Sequence, residues 1–134
     1  MIVVDCNIIA HTWLPSEFKD DIQELIRRDY DWIAPILWRS EFRSILSKFL
    51  RKKMISETKA NELAELAEEQ MTGREISVPT KDVISIIAKS ALTSYDSEYV
   101  ALAKIRHLKL VTLDKEILKE FPSIALSLKD FVSQ

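Results

Sequence analysis

Glycine is almost missing from this sequence. Gly73 is the only one in 134 residues, so no glycine-rich loop can cradle a nucleotide phosphate. Cysteine is as scarce. Cys6 stands alone, which excludes an intrachain disulfide and suits a reducing compartment. His11 and His107 are the only histidines, far apart and in no zinc-ligand spacing. With a single cysteine beside them, a zinc site lacks its donors. No apolar run approaches the roughly 20 residues that span a bilayer. The opening MIVVDCN has neither a basic n-region nor a small-residue cleavage site, so it does not read as a secretory signal. The expectation is a cytoplasmic chain with no membrane attachment.

What is present describes an ordinary folded chain. Hydrophobic residues make up 47% and charged residues 30%, a globular composition rather than a disordered one. The length fits one domain over residues 1–134, large enough to bury roughly two-thirds of its unfolded surface without a staple. The formal net charge of −2 does not by itself describe a nucleic-acid binder. The distribution says more. Arg39, Arg43, Lys48, Arg51, Lys52 and Lys53 face only Glu41 over residues 39–53, whereas residues 57–75 are strongly acidic. Two neighbouring helices of opposite sign can simply attract one another.

Strand and helix signals alternate along the chain. Ile2-Val3-Val4 is a β-branched run ending in the turn-prone Asp5-Cys6-Asn7, a buried first strand. Residues 16–29 place Phe18, Ile22, Leu25 and Ile26 on one helical face, with Ser16 as N-cap. Trp32-Ile33-Ala34 is a short strand stopped by Pro35. A long helix over 36–53 turns Leu37, Phe42, Ile45, Leu46, Phe49 and Leu50 inward, and a second, capped by Ser56, covers 57–71. Gly73 follows where a left-handed residue is expected. Ile76-Ser77-Val78 is a strand, Thr80 caps a helix over 81–92, and Ser94-Tyr95-Asp96 opens another to about 107. Residues 108–113 (LKLVTL) form a strand, Asp114 begins a short helix, and Ile124-Ala125-Leu126 is a last strand. Such alternation predicts an α/β fold with a parallel sheet and helices on both faces.

In such sheets ligands bind beyond the C-terminal strand ends, where the strand order reverses. Asp5 and Asp114 stand at two such ends. Glu41 lies one turn into the helix after the second strand. Asp96 reaches the same rim if the loop before its helix folds over it. Each has a plain alternative: Asp5 as an Asx-turn residue, Glu41 as an exposed helix residue, Asp96 and Asp114 as N-caps. Together they make a carboxylate cluster that needs a cation, and oxygen donors select hard ions such as Mg²⁺ or Mn²⁺. Such ions activate water and stabilise charge at a phosphate. Asn7 and Thr112, each two residues from an acid, can hydrogen-bond the carboxylates. Trp13, Trp32 and Trp38 read as core or interface residues, with Trp13-Leu14 placed where a lid could form.

IVVDCN, WRSEFRSIL, SYDSEYVALA and LVTLD resemble, in order, the four acidic motifs of PIN domains, and most resemble the compact VapC-type toxins of prokaryotic toxin–antitoxin pairs. The resemblance spans residues 2 to about 126, and YDSEYVALA followed by LVTLD is its most specific part. It implies a three-layer α/β/α sandwich with a central parallel sheet, and a Mg²⁺- or Mn²⁺-dependent endoribonuclease. Asp5, Glu41, Asp96 and Asp114 would be its catalytic, metal-binding acids, with Asn7 and Thr112 as their polar companions. It further implies an RNA substrate, a homodimer and a small antitoxin. Arg39 and Arg43, flanking Glu41, would hold RNA phosphates beside the metal. Cys6 replaces a usually small residue, and Arg106-His107-Leu108 replaces a loop that usually holds a glycine. The alternatives are an RNA-processing PIN nuclease with no antitoxin and a catalytically silent PIN binding module. A phosphotransfer aspartate of the haloacid-dehalogenase type would need a second aspartate where Asn7 stands.

Overall fold

Five strands lie side by side in one sheet, all parallel. The structure is a computed structural model and describes residues 1–134. The strands are β1 (Ile2–Val4), β2 (Trp32–Pro35), β3 (Glu75–Ile76), β4 (Leu110–Thr112) and β5 (Ala125–Ser127), in the order β3-β2-β1-β4-β5 across the sheet. Register is fixed by pairs such as Ile2 with Trp32, Val3 with Leu110, and Leu110 with Ala125. Every residue of β1, β2 and β4 is buried. A strand covered on both faces reads as a continuous apolar run rather than an alternating one, and that is how Ile2-Val3-Val4 reads.

Eight helices connect the strands: α1 (Cys6–Trp13), α2 (Lys19–Arg28), α3 (Trp38–Arg51), α4 (Glu57–Gln70), α5 (Thr80–Ala88), α6 (Ser94–Arg106), α7 (Lys115–Glu120) and α8 (Leu128–Val132). The chain steps outward from β1 to β2 to β3, then crosses back to β4 beside β1. Right-handed crossovers put the helices of the outward steps on one face and those of the return on the other. The packing agrees. α1 packs against α2, α3 and α4, while α6 lies along β1, β2 and β4 with α5 against it. The result is a three-layer α/β/α sandwich. The strand order reverses between β1 and β4, so the crevice at their C-terminal ends is the favoured ligand position.

Several local expectations change. Asp5-Cys6-Asn7 is the start of helix α1, with Asp5 as its N-cap accepting from the Cys6 N–H. Asn7 would have masked this, because Asn and Asp favour turns and helix starts alike. Ser16 caps nothing as a helix N-cap. Its Oγ accepts from Phe18 N and pairs with His11 Nδ1, and α2 starts later, at Lys19. Thr80 is the first residue of α5 rather than its cap, Pro79 taking that position. Thr93, not Ser94 or Asp96, caps α6, its Oγ1 accepting from Asp96 N. Leu50 is exposed. Trp13 and Leu14 form no lid: Leu14 is buried in the core, and Trp13 Nε1 donates to Gln70 Oε1 on α4. Trp32 and Trp38 are both fully buried.

Three turns use the left-handed region, at Lys53 after α3 (φ 56°), at Gly73 and at His107. Gly73 has φ 75°, as its place after α4 predicts. His107 has φ 55° and is the C-cap of α6. A left-handed C-cap is a position glycine favours, and the Arg106-His107-Leu108 turn keeps that backbone shape with a side chain on it.

Candidate active site

The C-terminal ends of β1 and β4 lie side by side, and the acids that follow them share one crevice. Asp5, Glu41, Asp96 and Asp114 line a cavity of about 270 Å³ together with Cys6, Asn7, Ser44, Ile45 and Lys48. Asp5 is placed by β1 and Asp114 by β4. Glu41 projects from the first turn of α3. Asp96 needs no folded-over loop: α6 runs antiparallel to the strands, so its first turn lies at their C-terminal edge. Its 13 residues, about 20 Å of helix, then carry the chain back to the start of β4.

Asp5 is the most constrained of the four. Its Oδ1 accepts from Cys6 N at 2.7 Å. Its Oδ2 accepts from Thr112 Oγ1 at 2.6 Å and from Asn7 Nδ2 at 3.3 Å. Thr112 Oγ1 in turn accepts from Asp114 N at 2.9 Å, and Asn7 Oδ1 accepts from Leu113 N at 3.4 Å. Asn7 and Thr112 therefore both touch Asp5, and Thr112 ties it to Asp114. Asp114 caps α7, its Oδ1 accepting from Glu116 N and Ile117 N. That capping leaves Oδ2 free, so the cap does not use up the carboxylate.

The electrostatics are those of a site short of positive charge. Burial, chiefly, and the nearby Glu41 and Asp96 charges push the Asp5 carboxyl up to about 7, against the lowering effect of the Thr112 bond. Burial likewise raises Glu41 and Asp96, with neighbouring carboxylates adding to it. The donors are all oxygens, as Mg²⁺ and Mn²⁺ prefer. No three His, Cys, Asp or Glu side chains come close enough to enclose an ion directly. An open cluster of this kind suits a hard ion that keeps several of its waters. Cys6 is no candidate nucleophile: its Sγ faces the Trp38 carbonyl oxygen at 3.5 Å, and burial raises its thiol well above the usual range.

Arg39 and Arg43 do not line this cavity. Arg39 is held by two carboxylates: Nε and Nη2 donate to Glu75 at 2.6 and 2.9 Å, and Nη1 to Glu68 at 2.5 Å. The attraction between the basic and acidic helices is realised there. Arg43 lies with Arg39 in the crease between α3 and α4, beside Trp38, Phe42, Ala64 and Glu68. The cation that does line the cavity is Lys48, with Ser44 beside it. Neither was singled out from the sequence, although positions 41, 44 and 48 repeat at helical spacing and so share one face. Tyr99 was also missed. It is fully buried, and its Oη donates to Glu41 Oε1 at 2.5 Å.

A parallel sheet with acids gathered at its switch point is the arrangement of a PIN domain, and the PIN domain family model matches residues 2–122. The chain belongs to the PIN domain family. It is 29% identical over 126 residues to Ribonuclease VapC3 of Pyrobaculum aerophilum, covering 92% of this chain and 96% of that protein. Two solved structures share the fold. PAE2754 from Pyrobaculum aerophilum superposes with a TM-score of 0.78 at 19% identity, over 98% of this chain and 93% of its own. FitAcB from Neisseria gonorrhoeae does so at 0.76 and 16%, over 96% and 99%.

Proposed function

We propose that this chain is a Mg²⁺- or Mn²⁺-dependent endoribonuclease, the toxin of a VapBC-type toxin–antitoxin pair, acting as one PIN-like domain over residues 1–134. The observation that carries the reading is the convergence of Asp5, Glu41, Asp96 and Asp114, from four separate stretches of sequence, on one cavity. Membership of the PIN family and the similarity to Ribonuclease VapC3 support it. No helix is long and apolar enough to cross a membrane.

A bound divalent ion would supply water activation and charge stabilisation at the scissile phosphate. The rest is done by the chain. Asp5, fixed by three hydrogen bonds, presents its remaining lone pairs in a constant direction. Glu41, Asp96 and the free oxygen of Asp114 would supply the other oxygen donors for the ion, directly or through its waters. Thr112 and Asn7 hold the two strand ends together, so that Asp5 and Asp114 keep their spacing. No side-chain nucleophile is needed, because hydrolysis requires only a positioned water and a stabilised phosphate.

The same reading includes a small antitoxin and a homodimer. Ile84 and Ile87 on α5 and Ile105 on α6 are exposed apolar side chains that a second copy would cover.

The test is cleavage of a labelled single-stranded RNA by the antitoxin-free protein and its Asp5→Asn variant, with Mn²⁺, Mg²⁺ or EDTA. Metal-dependent cutting lost in Asp5→Asn is expected. A well-folded protein that binds no divalent ion by calorimetry would sink the mechanism.

A further inference from the structure

Four carboxylates surround the cavity that is to receive a polyanion, and a single cation shares it. We infer that Lys48 is the residue that holds the RNA backbone at this site, contacting a phosphate next to the scissile one. The inference rests on the nuclease reading above and goes beyond it by naming the substrate contact.

Arg39 is engaged by Glu68 and Glu75 and faces the α3–α4 crease. Arg43 lines that same crease rather than the acid cavity. Lys115, although adjacent to Asp114, does not line the cavity. Lys48 does.

Its geometry then fits a substrate contact better than a structural one. Lys48 is exposed and makes no ion pair, although carboxylates line the same cavity. A lysine serving to neutralise the acids would sit against one of them. Lys48 stands seven residues beyond Glu41 on the same face of α3, about 10 Å along the axis. Exposed and lining the cavity, it stands beside the path that a strand with its scissile phosphate at the acids would take. Ser44, between them on that face, adds a hydroxyl donor to the track. A lysine contact of this kind acts as a point charge on phosphate and carries no sequence information.

The experiment is equilibrium binding of a fluorescein-labelled single-stranded RNA, followed by anisotropy with Mn²⁺ at several salt concentrations. An Asp5→Asn background keeps the probe intact. Lys48→Met in that background should weaken binding about 3- to 10-fold, equally for probes of different sequence, and reduce the log–log salt slope by about 0.7 to 1. Lys48→Arg should retain both. Arg43→Met should change neither. With Asp5 intact, Lys48→Met should raise KM while kcat is kept. Unchanged affinity and slope in Lys48→Met, or a loss that follows Arg43→Met instead, overturns the assignment while leaving the nuclease reading in place. No RNA binding by the protein with Asp5 intact, in both single-stranded and hairpin probes and with Ca²⁺ in place of Mn²⁺ to keep them uncut, overturns both together.

Discussion

Tyr99 Oη donates to Glu41 Oε1 across 2.5 Å, joining α6 to α3 beside the acid cavity. Tyr99 lies one turn after Asp96 and is fully buried, so its ring cannot move without repacking the core. The bond fixes which way the Glu41 carboxylate turns and leaves Oε2 available to the cavity. Partners that orient a metal-binding carboxylate influence affinity by roughly 10- to 100-fold. Tyr99→Phe should therefore weaken Mn²⁺ binding by about tenfold, read by calorimetry. Stability should fall by only about 1.5–3 kcal/mol, the worth of a single hydrogen bond to a charged group. A variant that loses stability but binds Mn²⁺ as tightly as wild type would show Tyr99 to be packing alone.

Thr112 makes two bonds through one hydroxyl, donating to Asp5 Oδ2 and accepting from Asp114 N. Thr112→Val keeps the shape and removes both. A buried carboxylate would lose a donor and a backbone N–H its acceptor, at a cost of about 1–3 kcal/mol. Activity should fall 10-fold or more, because the spacing of Asp5 and Asp114 is no longer held. Thr112→Ser restores the hydroxyl and should recover most of the rate. Equal losses in the Val and Ser variants would point to the methyl group instead.

The features legible in the sequence were those carried by local chemistry. β-Branched runs ending in aspartate marked β1 and β4, and strand–helix alternation marked the parallel sheet. Asp5, Asp114 and, one turn into the helix after β2, Glu41 were legible because a strand's C-terminal end has a fixed place in such a sheet, whereas Asp96 was placed there only on the condition of a folded-over loop. What stayed hidden depended on partners distant in sequence. Nothing around Arg39 says that Glu75, 36 residues on, will occupy it. Nothing around Tyr99 says that its hydroxyl will meet Glu41, 58 residues back. Lys48 is the exception, since the 41-44-48 spacing was present and only needed to be followed along the helix.

Arg39 separates a structural cation from a substrate-binding one. It donates to Glu68 and Glu75, and Glu75 also accepts from Trp38 Nε1. The Arg39 bonds hold Glu75 below the usual carboxylate range. Arg39→Met should lower stability only slightly, the pair being partly exposed and screened by solvent. RNA affinity and its salt slope should stay the same. A reduced slope with unchanged stability would restore Arg39 to the RNA track.

Asp5 sets the pH response of the metal-free protein. In the folded chain burial holds its carboxyl up to about 7, against an ordinary value of 3.8. Between those values the folded state binds more protons than the unfolded state, so stability falls as pH rises through that window. Glu41 and Asp96 are raised too and act in the same direction. At about 1.4 kcal/mol per unit of pKa, the Asp5 contribution approaches about 4 kcal/mol at most. Asp5→Asn has no proton to lose there. In EDTA it should be more stable than wild type at pH 8, with the advantage shrinking toward pH 4.5. Saturating Mn²⁺ should reverse the order at pH 8, because ligand binding stabilises only the chain that holds the ion. Urea denaturation at the two pH values, with and without Mn²⁺, measures all four quantities. Parallel pH dependences for the two proteins would mean that Asp5 is already ionised and compensated in the fold. The acids would then hold their charge without a cation, against the electrostatic reason for a metal at this site.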